Sequence, residues 1–249
     1  MSFSNTLCGQ IIQPLSWILI LLFLGPLFDS VFFTENYFEH SQWINDTLVI
    51  VVFMFFYYKG TSRIRQQLIY ALIIGIVGEY IFSLGLHMYS YRLNNIPHYI
   101  PFGHALVFLA VYNFSRKPKV RIFHEDIELF LTIFIVIYAV VLLIFTNDVF
   151  GFVMTLLVFL LLRKYPKEKL FYLTMFAVVG YVEIIGTSFG CWVWPKIAFD
   201  TFEILPSGNP PSGICLFYYG LDRGTMSIYK RRNKKIWERF KKIRAISLN

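Results

Sequence analysis

Residues 78–104 read GEYIFSLGLHMYSYRLNNIPHYIPFGH and place Glu79 deep inside an apolar run. The glutamate is followed by small residues, an aromatic pair and a proline–glycine segment that leads into the next apolar run. The same order returns around Glu183 in residues 182–195, VEIIGTSFGCWVWP, and residues 205–213, LPSGNPPSG. An ionisable side chain inside an apolar segment is costly and often functional, so its double placement is the feature to explain.

The composition indicates an all-α integral membrane protein. Of the 249 residues, 57% are hydrophobic and only 15% are charged, against about a quarter charged in soluble domains. A soluble protein of this size cannot bury so much apolar surface, so the expected solvent is a bilayer. The net charge of +8 is concentrated in linkers and in the tail, which favours lipid phosphates over nucleic acid as the partner.

Eight apolar segments are candidates for transmembrane helices. A spanning helix needs about 17–25 mostly apolar residues. On that criterion the predicted helices cover residues 12–33, 46–58, 66–86, 99–115, 127–146, 149–163, 169–190 and 210–229.

Basic residues are concentrated in alternate linkers. The linkers after the second, fourth and sixth segments carry Lys59, Arg63, Arg65, Arg116, Lys117, Lys119, Arg121, Arg163, Lys164, Lys167 and Lys169. Cytoplasmic loops are enriched in lysine and arginine, so we expect a multi-pass protein of the inner (cytoplasmic) membrane with both termini in the cytoplasm. The tail, residues 230–249, mixes cations with Ile236, Trp237, Phe240 and Ile243, and we expect an amphipathic helix that binds anionic inner-leaflet lipids.

An internal repeat is predicted from equal spacings. Arg65 precedes Glu79 by fourteen residues, and Lys169 precedes Glu183 by the same interval. At 1.5 Å per residue, each acid lies roughly 21 Å from a cytoplasmic cation, in the outer half of the bilayer. We therefore predict two tandem four-helix repeats, residues 1–115 and 116–229, with both glutamates facing one central cavity.

The two glutamates are the predicted catalytic residues. Two carboxyl groups in one apolar cavity repel each other when both are ionised, so one is expected to hold a proton that it can donate while the other accepts. Such a pair can protonate an alkene, and nearby aromatic faces can stabilise the carbocation. The predicted aromatic residues at the outer mouth are Tyr89, Tyr91, Trp192 and Trp194. The same acids can instead couple protons to transport, or join helices without catalysis.

Three polar residues complete the predicted substrate-binding set. Arg92 and Asn209 are placed to bind a headgroup, and His104 lies at the rim of the cavity. His87, His98 and His104 with Glu79 form an alternative metal site, but their spacing matches no specific ligand pattern. The prediction therefore includes no metal and no cofactor. Cys8, Cys191 and Cys215 fit neither a disulfide framework nor a metal-binding spacing.

The segments GYVEIIGTSFGCWVW and GEYIFSLGLHMYSY resemble a pattern in carotenoid-biosynthesis membrane proteins of the bisanhydrobacterioruberin (carotenoid 1,2-) hydratase type. The resemblance implies acid-catalysed addition of water to an isoprenoid alkene, with Glu79 and Glu183 as the matching acids. Small integral-membrane terpene cyclases are similar in size and in using membrane carboxylates. The segments IPHYIPFGH and PSGNPPSG resemble bacterial multi-pass proteins of unknown function.

We therefore expect a membrane enzyme that performs acid–base chemistry on a lipid or isoprenoid: hydration, cyclisation or isomerisation. The alternatives are a proton-coupled transporter or lipid-handling protein, and a non-catalytic membrane scaffold. A cavity that reaches both glutamates from the lipid side favours the enzyme. A polar path to alternate faces favours transport, and glutamates bonded in dry helix contacts favour a scaffold.

Overall fold

The computed structural model describes residues 7–235 and 237–239, which are mostly helical. Its helices are α1 (Leu7–Phe28), α2 (Val31–Asn36), α3 (Gln42–Lys59), α4 (Ser62–Glu79), α5 (Tyr99–Phe114), α6 (Pro118–Ile122), α7 (His124–Thr146), α8 (Val149–Lys164), α9 (Lys169–Ser188) and α10 (Cys215–Arg232). A π-helix, Tyr80–Gly85, continues α4, and a short 3₁₀ turn, Pro166–Glu168, precedes α9. The strands β1 (Ser90–Tyr91) and β2 (Trp192–Val193) form one antiparallel pair, and β3 (Ile197–Ala198) and β4 (Phe202–Pro206) form another.

One long helix corresponds to each of the eight predicted segments, with boundaries that differ by up to five residues when the π-helix is counted with α4. The two largest differences have a local cause. The first segment is divided between two helices, because α1 ends at Phe28 and α2 begins at Val31. Ser30 caps α2 by accepting a hydrogen bond from the Phe33 N–H (3.0 Å). The last segment becomes helical only at Cys215, since Pro210 and Pro211 belong to the preceding loop. Proline lacks the N–H that a helix interior needs, which explains the later start.

The surface of the described chain is suited to lipid. Four helical segments are long and apolar enough to cross a membrane: Ile11–Phe28, Ser62–Gly85, His124–Thr146 and Pro166–Ser188. The third has a mean hydropathy of 3.0 and is only 11% buried, so side chains such as Phe130 and Phe145 lie on the outside. So large an exposed apolar face indicates contact with acyl chains.

Helix α5 forms the centre of the bundle. It packs against α1, α3, α4 and α9, and its residues from Ala105 to Val111 are all buried. A helix that is apolar on every side is buried either by other helices or by lipid, and α5 is surrounded by other helices. The predicted repeats make α4 the counterpart of α9, and α5 the counterpart of α10. Two contacts are reciprocal in this sense, because α4 packs against α10 while α5 packs against α9.

Buried aspartates at the ends of α1 and α7 anchor the loops that lead into α5 and α10. Asp148 is fully buried and accepts hydrogen bonds from the backbone N–H groups of Gly151 (3.0 Å), Gly208 (2.8 Å) and Ser212 (2.7 Å). These bonds hold the loop of residues 205–213 against α8. Asp29 does the same for the start of α5, since its Oδ2 accepts a hydrogen bond from the Tyr99 hydroxyl (2.7 Å).

The basic tail is only partly described. Helix α10 ends with Lys230, Arg231 and Arg232, and the Lys230 ammonium lies 5.0 Å from the centroid of the Trp237 ring. Of the other tail residues in the predicted apolar face, Ile236, Phe240 and Ile243 lie outside the described residues. The lipid-binding tail therefore stays a prediction.

Replacing Asp148 by alanine tests the loop anchor. Asp148→Ala removes the acceptor of three buried N–H groups, and each group left unsatisfied costs about 1–3 kcal/mol. We expect the free energy of unfolding in detergent to fall by about 3 kcal/mol or more, measured by chemical denaturation. Asp126→Ala, at an exposed position in α7, is the control. Equal stability of the two variants would contradict the anchor.

Candidate functional site

The segments after the two glutamates have the same local structure. The π-helix is followed by His87 in a left-handed conformation (φ 48°), and α9 is followed by Gly190 in the same conformation (φ 70°). A left-handed residue commonly ends a helix and redirects the chain. The next residues, Met88 and Cys191, are both buried. Each segment then continues into a short strand, β1 or β2, which lies across the end of the helix before it.

The π-helix accounts for the one difference in spacing between the two segments. Tyr89 follows Glu79 by ten residues, whereas Trp192 follows Glu183 by nine. A π-helical turn holds one residue more than an α-helical turn, so it absorbs the additional residue. The aromatic side chains therefore arrive at equivalent positions over the two helix ends.

The pairing of β1 with β2 brings four aromatic residues to one face. Tyr91 lies opposite Trp192, and Ser90 lies opposite Val193. Side chains alternate along a strand, so Tyr89, Tyr91, Trp192 and Trp194 point inward, while Ser90 and Val193 are exposed. We call the four inward residues the aromatic ladder. The rings are in contact, with centroids 4.7 Å apart for Tyr89 and Trp194 and 6.2 Å apart for Tyr91 and Trp192.

Glu79 is held by three side chains. Its Oε2 accepts hydrogen bonds from the hydroxyls of Tyr89 (2.9 Å) and Tyr91 (2.7 Å), and its Oε1 lies 3.1 Å from Nε2 of His104. Burial, followed by the charge of Glu79, raises the pKa of Tyr89 and Tyr91 well above the ordinary value. Both phenols therefore stay protonated and act as donors to the carboxylate.

Glu183 is held by the other half of the ladder. Its Oε2 accepts hydrogen bonds from the indole N–H groups of Trp192 (2.9 Å) and Trp194 (3.0 Å). Both bonds end on one oxygen, so Oε1 is the oxygen left for a ligand. An indole can only donate, which makes the two tryptophans a fixed pair of donors for this carboxyl group.

Both glutamates line one cavity, which we call the acid cavity. Its volume is ≈ 50 Å³, room for roughly four water molecules at about 10–15 Å³ each. The aromatic ladder covers its outer end, and His104, Ile100 and Tyr218 form one wall. Its partly exposed lining residues include Phe82 on the π-helix and Phe217 on α10, whose ring centroids are 5.0 Å apart.

The structure brings together seven of the nine predicted site residues. Lining the acid cavity are Glu79, Tyr89, Tyr91, His104, Glu183, Trp192 and Trp194. Their catalytic and binding roles stay predictions.

The other two predicted site residues are engaged elsewhere. Arg92 forms a salt bridge with the buried Asp29 (2.7 Å) and also donates to the Asp29 carbonyl (2.9 Å). Its guanidinium is thus engaged by Asp29, and the predicted headgroup contact stays a prediction. The Asn209 side chain accepts a hydrogen bond from the backbone N–H of Trp194 (3.0 Å). It positions the ladder instead of lining the cavity.

The three histidines of the alternative metal site do not converge. His104 contacts Glu79, whereas the Nδ1 atom of His98 lies 3.4 Å from Asp46. His87 lines an outer pocket on the other side of Tyr89 and Tyr91. Among the described residues there is no group of three or more histidine, cysteine, aspartate or glutamate side chains that could hold a metal ion.

Sequence reasoning missed Tyr218 and the pairing of the two strands. The patterns Tyr-Ser-Tyr and Trp-Val-Trp have the period of two that marks a strand. From the sequence alone they are predicted to lie at the membrane interface, because each run is too short to predict a sheet. Tyr218 follows the second proline-rich segment, and only the packing of α10 against α4 and α9 brings it beside His104 (ring centroids 4.6 Å apart).

The small residue Gly186 makes room for the ladder. A Cβ atom at this position would overlap the ring of Trp192, which lies directly across α9. The glycine one turn after Glu183 is therefore required for the indole to reach the carboxyl group.

No family model matches this chain, and neither a curated protein nor a solved structure matches it significantly.

Adding one methyl group at Gly186 tests the ladder. In Gly186→Ala the Cβ displaces Trp192 from Glu183, and overpacking of this kind typically costs about 1–3 kcal/mol. We expect a lower melting temperature in detergent and altered tryptophan fluorescence. The matched control is Gly220→Ala in α10, where the added Cβ has no neighbour within 4 Å. That helical substitution is expected to stabilise by about 0.5–1 kcal/mol. Similar behaviour of both variants would contradict the close contact.

Proposed function

We propose that this chain is an integral membrane enzyme that performs acid–base chemistry on the double bond of an isoprenoid or related lipid. The observation that carries the proposal is the acid cavity, in which Glu79 and Glu183 share one small space below the aromatic ladder. Two carboxyl groups in such a space tend to share protons rather than ionise together. The resemblance to the carotenoid hydratase type points to the same chemistry, with water as the group added.

The different donors of the two glutamates suggest different roles. Glu79 has two phenol donors on Oε2 and a histidine at Oε1, so both of its oxygens have partners. Glu183 has two indole donors on one oxygen, and its other oxygen is free to carry a proton toward the cavity. Glu183 is therefore the proposed acid, and Glu79 with His104 is the proposed base.

The proposed hydration balances with the groups present. The Glu183 proton passes to one alkene carbon, and the other carbon becomes a carbocation facing the rings of the aromatic ladder. A water molecule forms the new C–O bond, and its proton passes to Glu79. Glu183 has then lost one proton and Glu79 has gained one. A proton returns between them through His104 or water, which restores the starting state.

Substrate enters, on this proposal, from the lipid. The acid cavity is too small for an isoprenoid as it stands, so Phe82 and Phe217 must separate first. Both residues lie on elements that we place in the membrane, at the depth of the acyl chains. Motions of this kind, which open a closed site to admit substrate and then exclude solvent, are common in enzymes.

Asp222 favours proton-coupled transport as a second candidate. This buried residue of α10 lies one turn beyond Tyr218, and its Oδ2 has no hydrogen-bond partner within the described chain. A carboxyl group there could relay protons between the acid cavity and the cytoplasmic end of α10. Transport would require the substrate to leave unchanged.

For the topology we propose eight crossings in two tandem four-helix repeats, residues 1–115 and 116–229, with both termini in the cytoplasm. The reciprocal packing of α4 with α10 and of α5 with α9 supports this arrangement. So does the matching chain path after Glu79 and Glu183. The expected location is the inner (cytoplasmic) membrane, because the basic linkers then face the cytoplasm.

Cysteine labelling tests the crossings. Lys167 and Lys196 are exposed and lie beyond opposite ends of α9. Glu39 and Lys59 are exposed at opposite ends of the less apolar α3. Each of the four is replaced by cysteine in turn. In a Cys8→Ser background we expect an impermeant maleimide to label positions 39 and 196 in intact cells. Positions 59 and 167 should react only after permeabilisation. Equal access to both ends of α3 would contradict the eight-span arrangement.

Lipid analysis tests the enzyme. In cells that express the chain we expect a lipid product that is absent without it and reduced at least tenfold in Glu79→Gln or Glu183→Gln, because glutamine cannot exchange a proton. The control is Glu203→Gln, at an exposed position in β4. Each variant must also elute as a folded protein. Unchanged lipid profiles in folded variants would rule out catalysis by these residues, and redistribution of an unaltered lipid would favour transport.

A further inference from the structure

A second cavity adjoins the acid cavity. It has a volume of ≈ 60 Å³ and apolar walls from α1, α3 and α5. The two cavities share the lining residues Ile100, His104 and Tyr218, so they adjoin at these side chains. We call this second space the Asn45 cavity, after the polar residue in its wall.

Asn45 is a polar group without a partner in an apolar wall. Its side chain is completely buried, and neither Oδ1 nor Nδ2 has a hydrogen-bond partner among the described residues. The adjacent polar residues of α3 are bonded, since Asp46 accepts from the Tyr99 N–H (2.7 Å) and Gln42 accepts from Asn95 (2.9 Å). Buried polar groups are nearly always paired, so Asn45 is an exception that needs a reason.

The volumes of the two cavities limit what they can hold. An engineered cavity of about 150 Å³ binds benzene, and even together these two cavities are smaller than that. A ligand of more than a few atoms therefore fits only if it occupies both cavities, with Ile100 and Tyr218 moved apart and Phe82 and Phe217 separated. A carboxamide offers one acceptor and two donors, and a hydroxyl group can use both kinds at once.

We propose that the Asn45 cavity binds the hydroxyl end of an unsaturated lipid alcohol, whose chain continues into the acid cavity. Asn45 donates to the hydroxyl oxygen and accepts its proton in a hydrogen bond, which supplies the missing partner. The apolar walls hold the first carbons of the chain. This inference rests on the proposed function for one point only, that the double bond lies between Glu79 and Glu183.

Photolabelling tests the binding site without requiring catalysis. The probes are a ten-carbon terpene alcohol carrying a diazirine and the matching hydrocarbon without the hydroxyl, at equal mole fractions in phosphatidylcholine nanodiscs containing the full chain. We expect the alcohol to label residues of the Asn45 cavity about tenfold more than the hydrocarbon, the size of effect that one buried hydrogen bond can have.

Three variants separate the contributions. Asn45→Leu should remove the preference for the alcohol, and Val107→Phe, which fills the cavity, should reduce labelling by both probes. Asn113→Leu is the control, because it makes the same asparagine-to-leucine substitution at an exposed position of α5. It should not change labelling by either probe. If Asn45→Leu does not fold, Gly25→Ala replaces it, because the added Cβ would lie 2.9 Å from the Asn45 Oδ1 and turn the carboxamide away.

Two results would overturn the inference. One is equal labelling of the native chain by both probes, or by neither, which would mean that Asn45 is solvated by water only. The other is an undiminished preference for the alcohol in folded Asn45→Leu or Gly25→Ala. Selective labelling combined with unchanged lipid profiles in the glutamate variants would refute the proposed enzyme and leave the binding site standing.

Discussion

Two carboxyl groups are buried in the interior of an apolar bundle, and the rest of the site follows from their need for hydrogen-bond donors. Burying a carboxyl group without hydrogen-bond partners costs several kcal/mol. Here the donors are phenol and indole groups, which bring a large apolar surface together with one polar atom. The aromatic ladder thus satisfies Glu79 and Glu183 and closes the acid cavity with the same four side chains.

The ladder exists because two distant segments of the chain form one small sheet. β1 and β2 are only two residues long, and such a pair would not be stable alone. Hydrogen bonds to the two glutamates stabilise its register. Each aromatic side chain of the ladder donates to the glutamate on the helix that precedes it in sequence. The register is supported from the sides by Asn209 and by Gly186, which leaves space for an indole.

The asymmetry between the two sides of the site is chemically informative. Two indole donors hold Glu183, whereas two phenols and a histidine hold Glu79. The proposed enzyme uses this difference to separate an acid from a base, and the proposed site at Asn45 would anchor its substrate.

The sequence alone determined the class of protein, the positions of the eight long helices and the choice of Glu79 and Glu183 as the unusual residues. Apolar runs and charge patterns are local signals, and a helix satisfies its own backbone hydrogen bonds without reference to distant segments. Only the tertiary structure decided which donors reach each carboxyl group. Arg92 pairs with Asp29, and Asn45 has no partner among the described residues. Such contacts depend on which helices become neighbours, and no spacing within one segment carries that information.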